Sequence, residues 1–154
     1  MQDENIAVYQ QRIGCTIEVL ADKVRGVVNV VVERAKVICR VKDPETLRKK
    51  IFLKKVNDVF SIHDVYGLRV IVESVNDAYL ILNKIRELFP ARLADDFIAH
   101  PKVLSDPGFE GKEFKCLRVI AYENDVPFEI QITTSAFHEV NESHHKVYNQ
   151  KRYS

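Results

Sequence analysis

The chain has 154 residues, of which 46% are hydrophobic and 29% are charged, and this composition predicts one soluble globular domain. The net charge of +1 leaves any nucleic-acid or membrane affinity to local clusters, and no apolar run is long enough to span a bilayer. Three cysteines without a CxxC pair argue against a disulfide framework and against a zinc ribbon, and they predict a reducing, cytoplasmic location.

The first half of the chain predicts a helix, a strand and a second helix. Apolar residues recur at steps of three or four from about residue 4 to residue 23, which is the period of a helix. The β-branched run that follows is ambiguous at first and predicts a strand over 34–41. A second helix is expected to begin at Asp43, which can cap it, with Pro44 in its first turn.

The second half predicts three more strands and two helices. YGLRVIVES is nearly continuous apolar sequence, typical of a strand buried on both faces, and VNDAYLILNKIRELF is an amphipathic helix stopped by Pro90. Most of 106–115 predicts an exposed loop, the overlapping stretch 114–133 predicts a hairpin turning at 123–125, and the residues from about Ser135 predict a helix. This order predicts an α/β or α+β layer structure, with a helical part at 1–33 and a sheet with helices at 34–154.

The last predicted strand separates two kinds of side chain. Its apolar residues fall on one face and its polar residues on the other: Phe128, Ile130 and Ile132 against Glu129, Gln131 and Thr133. The apolar face should meet the core. The polar face is either a solvated surface or part of a site.

The segment from Arg40 to Lys55 is strongly basic for a chain of net charge +1. It holds seven Lys or Arg residues against Asp43 and Glu45, a local charge of +5. It also contains the start of a predicted helix, where free N–H groups and the helix dipole favour anions. The segment therefore predicts a polyphosphate site, with a solvated basic helix face as the alternative.

Asp64 stands just ahead of the buried strand and has two interpretations. It can cap a turn, or it can bind Mg²⁺, which usually takes one or two carboxylates together with substrate phosphates. Asp64 and Glu129 on neighbouring strands would form such a pair. The histidines of the last predicted helix do not predict zinc, because HEVNE, which begins at His138, lacks the second histidine of HExxH.

Four motifs in order resemble the RelA/SpoT-type synthetase domain. They are RVKDPETLRKKI, HDVYGLRVIV, DDFIAHPK and EIQITTSAFHEVNE, and they cover residues from about 34 to 148. The resemblance implies an α+β fold of the nucleotidyltransferase type, which is a mixed β-sheet flanked by helices. It also implies a GTP/GDP pyrophosphokinase, which transfers pyrophosphate from ATP to the 3′-hydroxyl of GDP or GTP and so makes (p)ppGpp.

The resemblance assigns roles to particular residues. Asp64 and Glu129 would be catalytic and hold Mg²⁺, with Glu129 also able to help deprotonate the attacking hydroxyl. The residues implied for ATP are Arg40, Lys42, Arg48 and Lys50. Those implied for the acceptor nucleotide are Phe114, which would stack on guanine, and Lys102, Gln131, His138 and Asn141.

The match is weaker on the acceptor side. KEFKCLR stands where the family has Asn-Gly-Tyr-x-Ser-Leu-His, so Phe114 keeps a stacking face without the hydroxyl and Arg118 replaces histidine. Two alternatives stay open: a pyrophosphokinase acting on the 3′ end of tRNA, as in the toxin branch of the family, and a catalytically silent nucleotide-binding domain. Retention of both Asp64 and Glu129 argues against a silent domain. No membrane partner is expected, and a homo-oligomer is left open.

Overall fold

The computed structural model describes residues 18–32, 34–41, 45, 66–105, 107–123 and 126–143, with Arg40, Val41, Tyr66 and Val126 described by their backbone alone. Seven strands and three helices of several residues each lie within these residues, and residue 45 is also helical. In chain order they are α1 (18–31), β1 (Lys36–Val41), β2 (Tyr66–Val72), α2 (Val75–Leu88), β3 (Ala91–Asp96), β4 (Lys102–Val103), β5 (Glu113–Phe114), β6 (Leu117–Glu123), β7 (Val126–Thr134) and α3 (135–143).

Five strands form one mixed sheet in the order β1-β2-β7-β6-β3, and β4 pairs with β5 in a separate two-stranded sheet. Strands β2 and β7 are parallel, whereas the other neighbours in the large sheet are antiparallel. The parallel pair at the centre requires a long crossover, which α2, β3 and β6 provide. A mixed sheet with helices confirms the α+β class.

Helices α1 and α2 cover one face of the large sheet. Both contribute residues to one apolar cluster with the sheet, and the members with no exposed surface include Leu20, Val24, Val28, Ala78, Ile81, Val70, Val119, Phe128, Ile130 and Ile132. The apolar face of β7 therefore meets the core, as its alternation predicts. The opposite face of the sheet carries the charged and polar side chains described below.

Helix α1 continues beyond the predicted end near residue 23, as far as residue 31. The stretch from Gly26 to Val31 is rich in β-branched residues, which favour strands. Leu20, Val24 and Val28 nevertheless recur every four residues and are fully buried. Packing of this stripe against the sheet outweighs the weak local propensity.

Helix α2 begins and ends as the sequence predicts. The Ser74 hydroxyl caps its first turn by accepting a hydrogen bond from the backbone N–H of Asp77 at 3.1 Å. At the other end the Phe89 N–H donates to the Ile85 carbonyl at 2.9 Å, just before Pro90. The cap and the proline together fix where the chain enters β3.

Of the remaining strands, β1 lies within the strand predicted over 34–41. The β6–β7 hairpin is confirmed by its register, in which Glu123 faces Val126 across the predicted turn. Strands β3 and β4 were not predicted, and β5 lies inside the stretch predicted as loop. Strand β3 escapes sequence patterns because ARLADD lacks the alternation of a half-buried strand, and β4 and β5 escape them because each is only two residues long.

Candidate active site on the polar face of the sheet

One row of polar and charged residues crosses four strands of the large sheet. Arg69 on β2 faces Gln131 on β7, Gln131 faces Arg118 on β6, and Arg118 faces Asp95 on β3. Glu129 lies on the same face of β7, two residues before Gln131. We call these five residues the polar row. Their positions follow from strand pairing, so residues 62 positions apart in the sequence become neighbours.

Glu129 is buried, with 8% of its surface exposed. Its Oε1 accepts a hydrogen bond from the Gln131 amide at 2.6 Å, and its Oε2 accepts one from Nε of Arg118 at 3.0 Å. Thr133, the next residue on this face, is 1% exposed. The polar face of β7 is therefore not a solvated surface, and its charged groups are partnered as burial requires.

Arg118 lies between two carboxylates. Its Nε donates to Glu129, and one terminal nitrogen donates to Asp95 Oδ2 at 2.8 Å. Burial alone lowers the pKa of the Arg118 guanidinium, but the charges and hydrogen bonds of Glu129 and Asp95 outweigh burial and raise it. Arg118 is thus a fixed cation beside Glu129, and the sequence reading identified it only as a departure from the family motif.

Arg69 is 4% exposed and joins the sheet to α3. It donates to Gln131 Oε1 at 3.1 Å and forms an ion pair with Glu142 of α3. Sequence reasoning assigned no role to either residue of this pair. A signal was present for Arg69, because a charged side chain inside the apolar run YGLRVIV needs a buried partner.

Two residues predicted for the acceptor come together on the small sheet. Lys102 of β4 and Phe114 of β5 are direct cross-strand partners. Lys102 is exposed, whereas Phe114 is half-buried and meets Phe97 edge-to-face, with ring centroids 5.7 Å apart. The structure therefore places an ammonium group and an aromatic ring on neighbouring strands.

The two acceptor residues predicted on α3 differ in what they contact. Asn141 is 3% exposed, and its side-chain amide bonds both backbone groups of Lys115, one residue after Phe114. His138, one turn earlier, is half-buried. Asn141 thus holds the chain between β5 and β6 in place, while its contact with a nucleotide stays a prediction.

The residues predicted to bind ATP and Mg²⁺ are described only in part. Asp64, Lys42, Arg48 and Lys50 lie outside the described residues, and only the backbone of Arg40 is described. That backbone pairs with Gly67 of β2, which in turn pairs with Glu129. Gly67 is also a close-packed position, since a Cβ there would lie 3.3 Å from the Glu129 carbonyl oxygen.

Other chemistries find less support. Burial, followed by the charge of Glu129, raises the pKa of the Cys116 thiol to about 12, so Cys116 is not a thiolate nucleophile. Over the described ranges, no three His, Cys, Asp or Glu side chains are grouped to hold a metal ion. Over the same ranges, no helix is long and apolar enough to cross a membrane.

Solved structures of alarmone synthetases are similar to this chain in fold. The structure of small alarmone synthetase 1 from Bacillus subtilis matches with a TM-score of 0.76 and 22% identity, over 97% of this chain and 81% of that one. The same synthetase bound to its product pppGpp matches with a TM-score of 0.74 and 20% identity, over 95% of this chain and 82% of that one. At these identities the likeness shows the fold.

Sequence comparison supplies the family. The region found in RelA and SpoT proteins matches residues 39–153, which is more than half of this chain. The chain belongs to the RelA/SpoT family. A probable chloroplastic GTP diphosphokinase of Arabidopsis thaliana is 38% identical over 90 residues, which are 56% of this chain and 11% of that protein. The chain thus spans about a ninth of that relative's length.

Proposed function

We propose that this chain transfers pyrophosphate from ATP to the 3′-hydroxyl of GDP or GTP, releasing AMP and making (p)ppGpp. The observation that carries the proposal is the setting of Glu129, a buried carboxylate held on the polar face of a RelA/SpoT domain. A carboxylate with a fixed direction can accept the proton of an attacking hydroxyl. The product-bound B. subtilis synthetase and the plant GTP diphosphokinase support the choice of reaction.

The hydrogen bonds of Glu129 leave room for a metal ion. Each of its oxygens accepts one hydrogen bond, and a carboxylate has about four acceptor positions in all. Glu129 therefore fits the oxygen-ligand chemistry of Mg²⁺, with Asp64 proposed as the second carboxylate. When bound, Mg²⁺ would neutralise charge on the phosphates of ATP.

The acceptor would bind between the small sheet and the polar row. Phe114 offers a ring face for guanine, and Lys102 beside it offers a cation for phosphate. Gln131 is already held by Arg69 and Glu129, so its amide is oriented. His138 and Asn141 complete the proposed acceptor set from α3.

ATP would bind next to the edge of the sheet formed by β1. The backbone of Arg40 lies in register with Gly67, and Gly67 lies in register with Glu129. Strand pairing thus brings the start of the basic segment within two strands of the proposed base. Arg40, Lys42, Arg48 and Lys50 are proposed to grip the triphosphate, since transfer of this kind depends on positioning and charge neutralisation.

The proposal also keeps a cytoplasmic location and leaves a homo-oligomer open. Free thiols at Cys39 and Cys116 are compatible with a reducing compartment.

The deciding experiment uses ATP labelled at the γ-phosphate, with Mg²⁺ and, in parallel, GDP, GTP or deacylated tRNA. Label in ppGpp or pppGpp together with released AMP is the expected result. Label in tRNA would replace the nucleotide acceptor with the toxin-type reaction. No transfer to any acceptor and no AMP would overturn the proposed activity and favour a silent domain.

A further inference from the structure

An irregularity in β3 determines which residue faces Arg118. The pairing of β3 with β6 runs from Ala91 to Leu93 in one register, shifts at Ala94, and resumes with Asp95 opposite Arg118. In an unbroken register Ala94 would face Arg118, and Asp95 would face Leu117, which is fully buried in the core. Bulges of this type re-aim side chains and are common beside active sites. Here the extra residue brings a carboxylate to the polar face.

The guanidinium of Arg118 is held from two directions. Glu129 accepts from Nε at 3.0 Å, and Asp95 accepts from a terminal nitrogen at 2.8 Å. An arginine fork is planar, so two carboxylates on different nitrogens fix both its position and its plane. The side chains of Arg118 and Asp95 are 34% and 39% exposed, whereas that of Glu129 is 10% exposed. The contact therefore runs from a half-exposed carboxylate at the sheet edge to a buried one near its centre.

We propose that Asp95 and Arg118 are positioning residues for Glu129, with Asp95 bracing Arg118 and Arg118 holding the carboxylate of Glu129 in its reactive direction. This inference rests on the proposed function, in which Glu129 accepts the proton. It adds an edge strand, β3, to the machinery of the site. Neither residue needs to touch a nucleotide to play this part.

The kinetic test compares four variants of the full chain. Arg118→Gln removes the cation, Arg118→Lys keeps the charge without the fork, Asp95→Asn removes the bracing charge, and Asp95→Glu preserves it. The matched control is Glu123→Gln, which removes a carboxylate of the same β6 strand that pairs with Lys23 at 3.3 Å. Each protein is first checked for an unchanged circular-dichroism spectrum.

The expected loss is in kcat. Misplacing a reacting group by about 1 Å costs on the order of 100-fold, so we expect kcat to fall about tenfold or more in Arg118→Gln and less in Asp95→Asn. KM for ATP and for the acceptor should change less than about twofold, because uniform binding is not removed. The kcat of Arg118→Lys should lie between that of wild type and that of Arg118→Gln, and Asp95→Glu should keep most of the wild-type kcat. The double variant Asp95→Asn/Arg118→Gln should be no slower than Arg118→Gln alone. Unchanged kcat in folded Arg118→Gln, or a rise in KM alone, would overturn the inference.

A second measurement separates this inference from the proposed activity. If the wild-type chain transfers no label, the proposed function fails, and thermal unfolding of Asp95→Asn, Glu129→Gln and their double variant still reports on the bracing. The expected result is non-additive Tm shifts for Asp95 and Glu129, which do not bond each other directly in the described contacts. The coupling should vanish in an Arg118→Gln background. Additive shifts with Arg118 present would overturn the inference regardless of activity.

Discussion

The side chain of Asn141 bonds the backbone of Lys115 as a neighbouring strand would. Its Oδ1 accepts from the Lys115 N–H at 3.3 Å, and its Nδ2 donates to the Lys115 carbonyl at 2.9 Å. The Thr133 hydroxyl also donates to that carbonyl, at 2.9 Å. Lys115 joins β5 to β6, so α3 and β7 together set the path of the chain directly after Phe114.

Removing this amide should loosen the acceptor side. Asn141→Ala removes a buried side chain and leaves the Lys115 N–H without this hydrogen-bond partner, at a cost of about 1–3 kcal/mol. We expect the urea midpoint to fall, and we expect KM for GDP to rise more than KM for ATP. The control is Glu139→Ala, which truncates an exposed residue of the same helix. A stability and KM equal to wild type would show that Asn141 does not hold this segment.

Glu129→Gln should abolish transfer and leave the fold intact. Glutamine has nearly the same shape but accepts no proton, and a general base contributes roughly 10²–10⁴-fold. One of its two oxygens becomes a donor, so either Arg118 or Gln131 loses an acceptor, at a cost of about 1–3 kcal/mol. Label transfer and thermal unfolding measure the two effects. Wild-type rates in the folded variant would remove Glu129 from the mechanism.

Phe114→Ala should weaken binding of the acceptor nucleotide more than binding of ATP. Stacking of a base on an aromatic ring contributes about 1–3 kcal/mol, so we expect KM for GDP to rise roughly tenfold or more while KM for ATP stays within about twofold. The alanine also removes the edge-to-face contact with Phe97. Phe97→Ala removes that contact and keeps the Phe114 ring, which makes it the matched control. Equal losses for both nucleotides would contradict the assignment of Phe114 to the acceptor.

Stability at acidic pH should depend on Asp96. Burial raises the pKa of this carboxyl, but hydrogen bonds from the Ala99 and Ile98 N–H groups and from the Tyr79 hydroxyl outweigh burial and lower it. Because the folded pKa is below the unfolded one, the stabilisation is present above about pH 4 and is lost as pH falls through the folded pKa. Asp96→Asn should flatten this part of the Tm–pH curve. A curve as steep as that of wild type would exclude Asp96 as the group responsible.

The hydrogen bond from Tyr79 to Asp96 should also make stability fall as pH rises in the alkaline range. Burial, then the hydrogen bond to Asp96 and its charge, raise the pKa of Tyr79 to about 12. The stabilisation is therefore full below about pH 10 and is lost as pH rises towards 12. Tyr79→Phe should remove this alkaline loss. It should also weaken the low-pH dependence assigned to Asp96, because the Tyr79 hydroxyl is one of the donors that lower the pKa of that carboxyl. Ultraviolet titration of tyrosinate in wild type and variant measures the alkaline titration directly.

Much of the fold follows from local patterns. The alternation in β7, the apolar run of β2 and the cap and proline around α2 each predict the element that is present. Glu129 and Gln131 were assigned to one polar face because a strand alternates its side chains, and the 2.6 Å hydrogen bond between them confirms that placement. Their catalytic and binding roles stay predictions, as do those of Asp64, Lys42, Arg48 and Lys50.

What the sequence alone determined is the family, the α+β class and the residue types at the proposed site, because periodicity and motifs are local properties of the chain. The tertiary structure decided which of those residues meet. Arg118 lies beside Glu129, and Asp95 beside Arg118, only because β6 pairs with β7 and a bulge shifts β3 by one residue. Pairing register and bulges depend on contacts between distant segments, and no local pattern of ARLADD or KEFKCLR encodes them.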